Sequence, residues 1–161
     1  MCGGSCSFLD LLHIHFCSLP DSSYLGQVRL TEDCFVPPGT GENLWKALVN
    51  GVGGNYPGDG RFPQISGFKF SFDASKPVGC RIVEVTRLDG TAIAKDSKEY
   101  TLTTLDFLIY GGDGYVDVFT PSKARVQGAL LDVFVEALRA DMAAKKVTQL
   151  PAADGRIKKV G

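Results

Sequence analysis

Between Thr40 and Val52 the apolar residues fall at Leu44, Trp45, Leu48, Val49 and Val52. That spacing is one face of a helix, with Thr40 placed to cap its N-terminus and a run of glycines after Val49 to end it. The period then changes. Phe68, Phe70 and Phe72 alternate with Lys69 and Ser71, which predicts a strand with one buried face, its three rings serving as core. Ile82 to Leu88 reads as a second strand, Asp89-Gly90 as a tight hairpin turn leading into Thr91 to Ala94, and Tyr100 to Leu105 as a further extended run. Thr120-Pro121 is expected to open the longest helix, with Val126, Leu130, Val133, Phe134, Ala137 and Leu138 as its apolar stripe. Cys80, on the approach to a strand, is expected to be a small buried side chain.

These elements predict an α+β domain: a mostly antiparallel sheet with packed helices. A chain of 161 residues with 44% apolar content suits one domain with a real core. The net charge of −1, without a charged block or basic stripe, argues against a general nucleic-acid binder. Lys145, Lys146, Lys158 and Lys159 read as a solvated helix end and tail. No apolar run is long enough for a membrane span, and the polar DGRIKKVG ending carries no hydrophobic anchor. FLDLLHIHF (8 to 16) lacks a basic flank and is broken by Asp10, His13 and His15, so a cleaved signal peptide is not expected.

Pro37-Pro38 marks a boundary between a Cys-containing leader (1–38), open to being poorly ordered, and a domain spanning 39–161. Cys2, Cys6, His13, His15 and Cys17 lie in the leader, but their spacing lacks the paired C-x2-C of strong metal motifs. Free thiols are the simpler reading, and no metal site is expected.

Two segments carry candidate chemistry: DGRFPQISG (59 to 67) and LDFLIYGGDGY (105 to 115). Each sets a phenylalanine, Phe62 or Phe107, beside backbone that Pro or Gly keeps irregular, and the second continues into a loop of Gly111, Gly112 and Asp113. Rings stack on any base, at roughly 1–3 kcal/mol per base, and a carboxylate accepts hydrogen bonds from ribose hydroxyls. On pattern alone, phenylalanines in a β-rich domain also read as core, and Asp113 as a turn cap. Tyr110 and Tyr115 flank the loop, with Tyr110 placed to narrow a pocket, and Asn55, Arg61 and Gln64 are edge groups without an assigned role.

The two segments and the stretch between them resemble the C-terminal domain of the 5'-nucleotidase group, which includes ecto-5'-nucleotidases, UDP-sugar hydrolases and cyclic-phosphodiesterase relatives. Four blocks carry the resemblance in order: TGENLWKALVNGV (40 to 52), GRFPQISGFKFSFDASKPVGCRIVEV (60 to 85), YTLTTLDFLIYGGDGY (100 to 115) and DGRIK (154 to 158). It implies that Phe62 and Phe107 sandwich a base, that Asp113 contacts the ribose in the Gly111-Gly112 loop, and that the ligand is a nucleoside or nucleotide such as adenosine, AMP or a UDP-sugar. It also implies a domain truncated on its N-terminal side. Relatives place further basic contacts upstream, where Arg29 is the one candidate and matches no motif.

In that family a dimetal phosphoesterase centre sits in a separate catalytic domain. With His13 and His15 the only histidines, this chain is expected to have no catalytic residue and no cofactor, the divalent metal pair belonging to a catalytic domain in cis or in trans. Relatives are often extracellular or periplasmic. The alternatives are a non-catalytic structural or interaction module that keeps the fold, and a subunit completed by a separate catalytic chain.

Overall fold

The computed structural model describes residues 12–15, 33–54, 59–143 and 154–161. The expectations for Cys2, Cys6, Cys17, Arg29, Asn55, Lys145 and Lys146, and for the side chains of His13 and His15, lie outside what is described.

Helix α1 (Gly41–Gly51) forms where the periodicity places it. Thr40 Oγ1 accepts from the Asn43 backbone N–H at 3.2 Å, and the Asn43 side chain accepts from the Thr40 N–H at 2.9 Å, so two otherwise orphaned donors are satisfied reciprocally. The helix buries Leu44, Ala47 and Leu48, the two leucines stabilising by about 1.5–3 kcal/mol each. Two long-range bonds fix its orientation: Trp45 Nε1 donates to the Ile93 carbonyl and Asn43 Nδ2 to the Val118 carbonyl.

The strands divide between two sheets. The first is built from β1 (Leu12–His15), β2 (Asp33–Val36), β3 (Pro38–Thr40), β4 (Gln64–Ser66), β7 (Glu99–Leu105) and β8 (Arg125–Ala129). Its order is β4-β1-β7-β2-β8, with β3 also on β7. The second holds β5 (Phe68–Phe72), β6 (Ile82–Arg87) and β9 (Ile157–Lys159), in the order β6-β5-β9. Pairing is antiparallel except for β1 with β7 and β5 with β9, which agrees with a mostly antiparallel α+β domain. Gly67, at φ 85°, lets the chain turn out of β4 and enter the other sheet as β5. β1 and β2 come from the stretch upstream of Pro37 and pair with β7.

One core joins the elements. Phe68, Phe70 and Phe72 on β5 and Val85 on β6 meet Leu44 and Leu48 of α1, Val52 just after it, Leu102 of β7, and Leu108 and Ile109 of α2 (Asp106–Ile109). The alternation of β5 is therefore realised as core.

Three sequence expectations are corrected. The helix expected from Pro121 makes only a 3-10 turn, Pro121–Lys123, before the chain runs as β8 and enters α3 (Leu130–Ala143). The reason is tertiary: β2 takes 125–129 as its antiparallel partner, leaving Val126 62% exposed, and Gly128 sits at φ 148°, which no helix tolerates. The Asp89-Gly90 turn forms, with Gly90 at φ 88°, but Thr91 to Ala94 contributes an isolated Thr86–Ala92 bridge in place of a full strand. Cys80 is exposed, because it closes a turn through its N–H to the Pro77 carbonyl before β6 begins.

Candidate functional site

Phe62 is set by a local device. The Asp59 carboxylate accepts from the Arg61 backbone N–H at 3.0 Å and from Arg61 Nε at 2.9 Å, while the Phe62 N–H donates to the Asp59 carbonyl at 3.1 Å. This closes a turn of the kind that Asp favours. The Phe62 ring is partly buried and lies 5.6 Å from the Phe72 ring at a 60° tilt, so one side of it rests on the core.

Phe107 stands on α2 and is 42% exposed, unlike its neighbours Leu108 and Ile109, which point into the core. The Tyr110 N–H donates to the Asp106 carbonyl and the Gly111 N–H to the Leu108 carbonyl, both at 3.0 Å, after which Gly111 takes a left-handed φ of 88° and ends the helix. Gly112 then passes directly against Phe107: a Cβ on Gly112 would come within 2.5 Å of its ring carbons. The ring thus occupies the space a side chain would need. Asp113 follows at φ 50° and ψ 27°, a left-handed conformation that Asp tolerates better than most residues. Tyr110 is 71% exposed, close in sequence to Phe107.

Four residues hold the two segments in one place. Tyr115, 1% exposed, donates its hydroxyl to the Arg61 carbonyl at 3.0 Å, linking the residue before Phe62 to the loop that carries Asp113. Burial pushes the Tyr115 phenol well above its ordinary pKa. Asn50, at the end of α1, donates to the Asp113 carbonyl at 3.0 Å. Gly51 makes the approach possible, since a Cβ there would sit 2.7 Å from the Pro63 ring and 3.0 Å from the Tyr115 hydroxyl. Arg81 secures the same helix end by donating through Nη1 to the carbonyls of Val52 and Gly54 at 2.7 and 2.9 Å, a cation at the negative end of the helix dipole.

Of the residues singled out in the sequence, Phe107, Gly111, Gly112 and Asp113 form one contiguous loop, and Phe62 is tied to it through Arg61 and Tyr115. Gln64 is exposed on β4, and Arg61 is engaged with Asp59. Asn50 and Arg81 gave no sequence signal, because both act through backbone carbonyls far along the chain.

The fold is a two-sheet α+β domain with a capped helix, a β-rich aromatic core and an aromatic Gly-Asp loop. Residues 38–121 match the family described as 5'-nucleotidase, C-terminal domain, and the chain belongs to that family. It is 34% identical over 127 residues to the trifunctional nucleotide phosphoesterase protein YfkN of Bacillus subtilis, covering 75% of this chain and 8% of that protein. It is 33% identical over 130 residues to protein 5NUC of Lutzomyia longipalpis, covering 75% of this chain and 22% of that one. Among solved structures, a 5'-nucleotidase precursor from Thermus thermophilus superposes with a TM-score of 0.66 at 26% identity, over 80% of this chain and 25% of its own length. The chain thus spans less than a quarter of either curated relative.

Proposed function

We propose that this domain binds the nucleoside part of a nucleotide, with the base held between Phe62 and Phe107 and the Asp113 carboxylate accepting hydrogen bonds from the ribose hydroxyls. The observation that carries this reading is the Tyr115 hydroxyl bond to the Arg61 carbonyl, which tethers the two aromatic segments so that a partly exposed ring and an exposed carboxylate share one rigid loop. Stacking supplies affinity and the carboxylate supplies orientation. The chemistry is that of nucleotide catabolism, with phosphate-ester hydrolysis carried by a metallophosphoesterase domain in cis or in trans. Among the described residues no group of three or more His, Cys, Asp or Glu side chains converges. No described helix is long and apolar enough to cross a membrane.

The test is an NMR titration with adenosine and AMP in metal-free buffer, on the wild type and on Phe62→Ala and Phe107→Ala. Saturable shifts at residues 107–115 that both variants weaken support the reading, and a folded protein silent to both ligands overturns it. A second reading draws on the Phe62–Phe72 contact: Phe62 is purely core, and the domain is a non-catalytic structural module that retains the fold. In that case Phe62→Ala lowers the melting temperature and leaves any nucleoside shifts unchanged.

A further inference from the structure

A cleft of about 280 Å³ opens away from the aromatic loops, lined by Val36, Pro37, Pro38, Glu99, Tyr100, Thr101, Lys123 and Arg125. Strand register explains why it exists. β2 ends by pairing Val36 with Arg125 of β8, while β3 begins by pairing Pro38 with Thr101 of β7, and the buried Pro37 lies between them. Along this stretch the chain stays beside β7 in one register, from Cys34–Leu105 to Thr40–Glu99, but its pairing with β8 stops at Val36, leaving a gap flanked by the start of β8 and the first half of β7.

The chemistry of the lining is lopsided. Pro37 and Pro38 have no backbone N–H, so they supply apolar surface and carbonyls but no donors. The side-chain donors are the Lys123 ammonium, the Arg125 guanidinium and the Thr101 and Tyr100 hydroxyls, with Glu99 as the one carboxylate. Neither Lys123 nor Arg125 forms a salt bridge among the described residues. A third cation, Lys98, lies 5.7 Å from the centroid of the Tyr100 ring, adding positive charge at the β7 side. Cationic donors over an apolar floor of Val36, two prolines and a tyrosine ring suit one kind of ligand.

We propose that this cleft is a second binding site, separate from the aromatic loop, for a small organic anion whose phosphate or carboxylate group meets Lys123 and Arg125 and whose flat apolar body lies on Tyr100 and the prolines. A planar guanidinium grips either oxyanion with two parallel hydrogen bonds, which a lone ammonium cannot do. The site stands on the geometry of the β2–β3 seam and is independent of the nucleoside reading.

The experiment is a set of NMR titrations on the full chain with phenyl phosphate, with benzoate and with inorganic phosphate, the last reporting charge alone. The expected result is saturable shifts at Tyr100, Thr101, Lys123 and Arg125, with at least one aryl anion binding about five-fold or more tighter than inorganic phosphate. Comparison of the two aryl anions distinguishes a phosphate from a carboxylate preference. The double variant Lys123→Gln and Arg125→Gln should weaken binding at least about five-fold, whereas Lys69→Gln, an exposed charge on β5, should leave it unchanged. Should the double variant fail to fold, wild-type titrations in low and high salt decide, because a charge-driven site weakens several-fold as the Debye length shrinks from about 30 Å to about 3 Å. Non-saturable shifts, shifts confined to residues 107–115, or affinities indifferent to both the substitutions and salt would overturn the proposal.

Discussion

Replacing Tyr115 with phenylalanine removes a single oxygen, yet that oxygen joins the two halves of the candidate site. The ring stays buried, so the apolar contribution is preserved, and the loss is the hydroxyl's bonding to the Arg61 carbonyl and to Asn50, with the partly buried Arg61 carbonyl left without that donor. A typical net hydrogen bond contributes about 0.5–1.5 kcal/mol and an unsatisfied buried acceptor costs about 1–3 kcal/mol, so Tyr115→Phe should destabilise by about 1–2 kcal/mol near neutral pH. For a chain of this size that is a fall in melting temperature of roughly 2–8 °C.

The pH dependence makes the prediction specific. Burial raises the phenol, opposed by the Asn50 hydrogen bond, with Asp113 raising it further, Arg61 lowering it and Asp59 raising it. A raised pKa means that the folded state keeps a proton the unfolded state releases. The contribution of Tyr115 is therefore whole below about pH 10 and is lost above it at up to about 1.4 kcal/mol per pH unit. Urea unfolding of both proteins from about pH 7 to about pH 11 should show a constant advantage for the wild type that shrinks beyond about pH 10. A gap that stays constant over the whole range, or a variant as stable as the wild type at neutral pH, would refute the tether.

Four further outcomes can be measured. Phe107→Ala should weaken adenosine binding about 5- to 150-fold in a calorimetric titration while leaving chemical stability within about 1 kcal/mol, since the ring is substantially exposed. Gly112→Ala should displace the Phe107 ring, which occupies the space of the new methyl, and lower nucleoside affinity about ten-fold without unfolding the domain; unchanged affinity would show that ring placement is irrelevant to binding. Thr104, 2% exposed on β7, buries a hydroxyl that has no hydrogen-bond partner among the described residues, so Thr104→Val should raise stability by about 1 kcal/mol in urea, and a loss would contradict that assignment. Asp154, held down to about 2 by hydrogen bonds from Arg156, adds to stability above its unfolded pKa of about 3.8 and loses that contribution as pH falls towards 2. Asp154→Asn should flatten the acid limb of the unfolding profile over that interval.

Where structure is local, it was legible. Thr40 and the Leu44, Leu48 and Val52 face announce α1 because cap and stripe lie within one helix, and the rings at 68, 70 and 72 announce β5 because alternation is a property of one strand. The Val126, Leu130 and Val133 spacing satisfied a helical pattern equally well, and only the need of β2 for a partner drew 125–129 into a sheet. The site divides in the same way. Both aromatic segments were readable from their Phe, Pro and Gly residues, whereas the Asn50, Arg81 and Tyr115 bonds cross 63, 29 and 54 positions to reach carbonyls that carry no residue signature.

The parallel pairing of β5 with β9 has a consequence for biosynthesis. Phe70 hydrogen-bonds alongside Ile157, a partner translated 87 codons later, and Arg156 reaches back to the Ile65 carbonyl. Throughout that interval on the ribosome, β5 can zip with β6 but keeps its other edge bare, a phenylalanine-rich strand open to neighbouring nascent chains. Residues 154–161 are the latch that ends this exposure, so a messenger cut short before Asp154 should yield a polypeptide that chaperones hold and proteases clear.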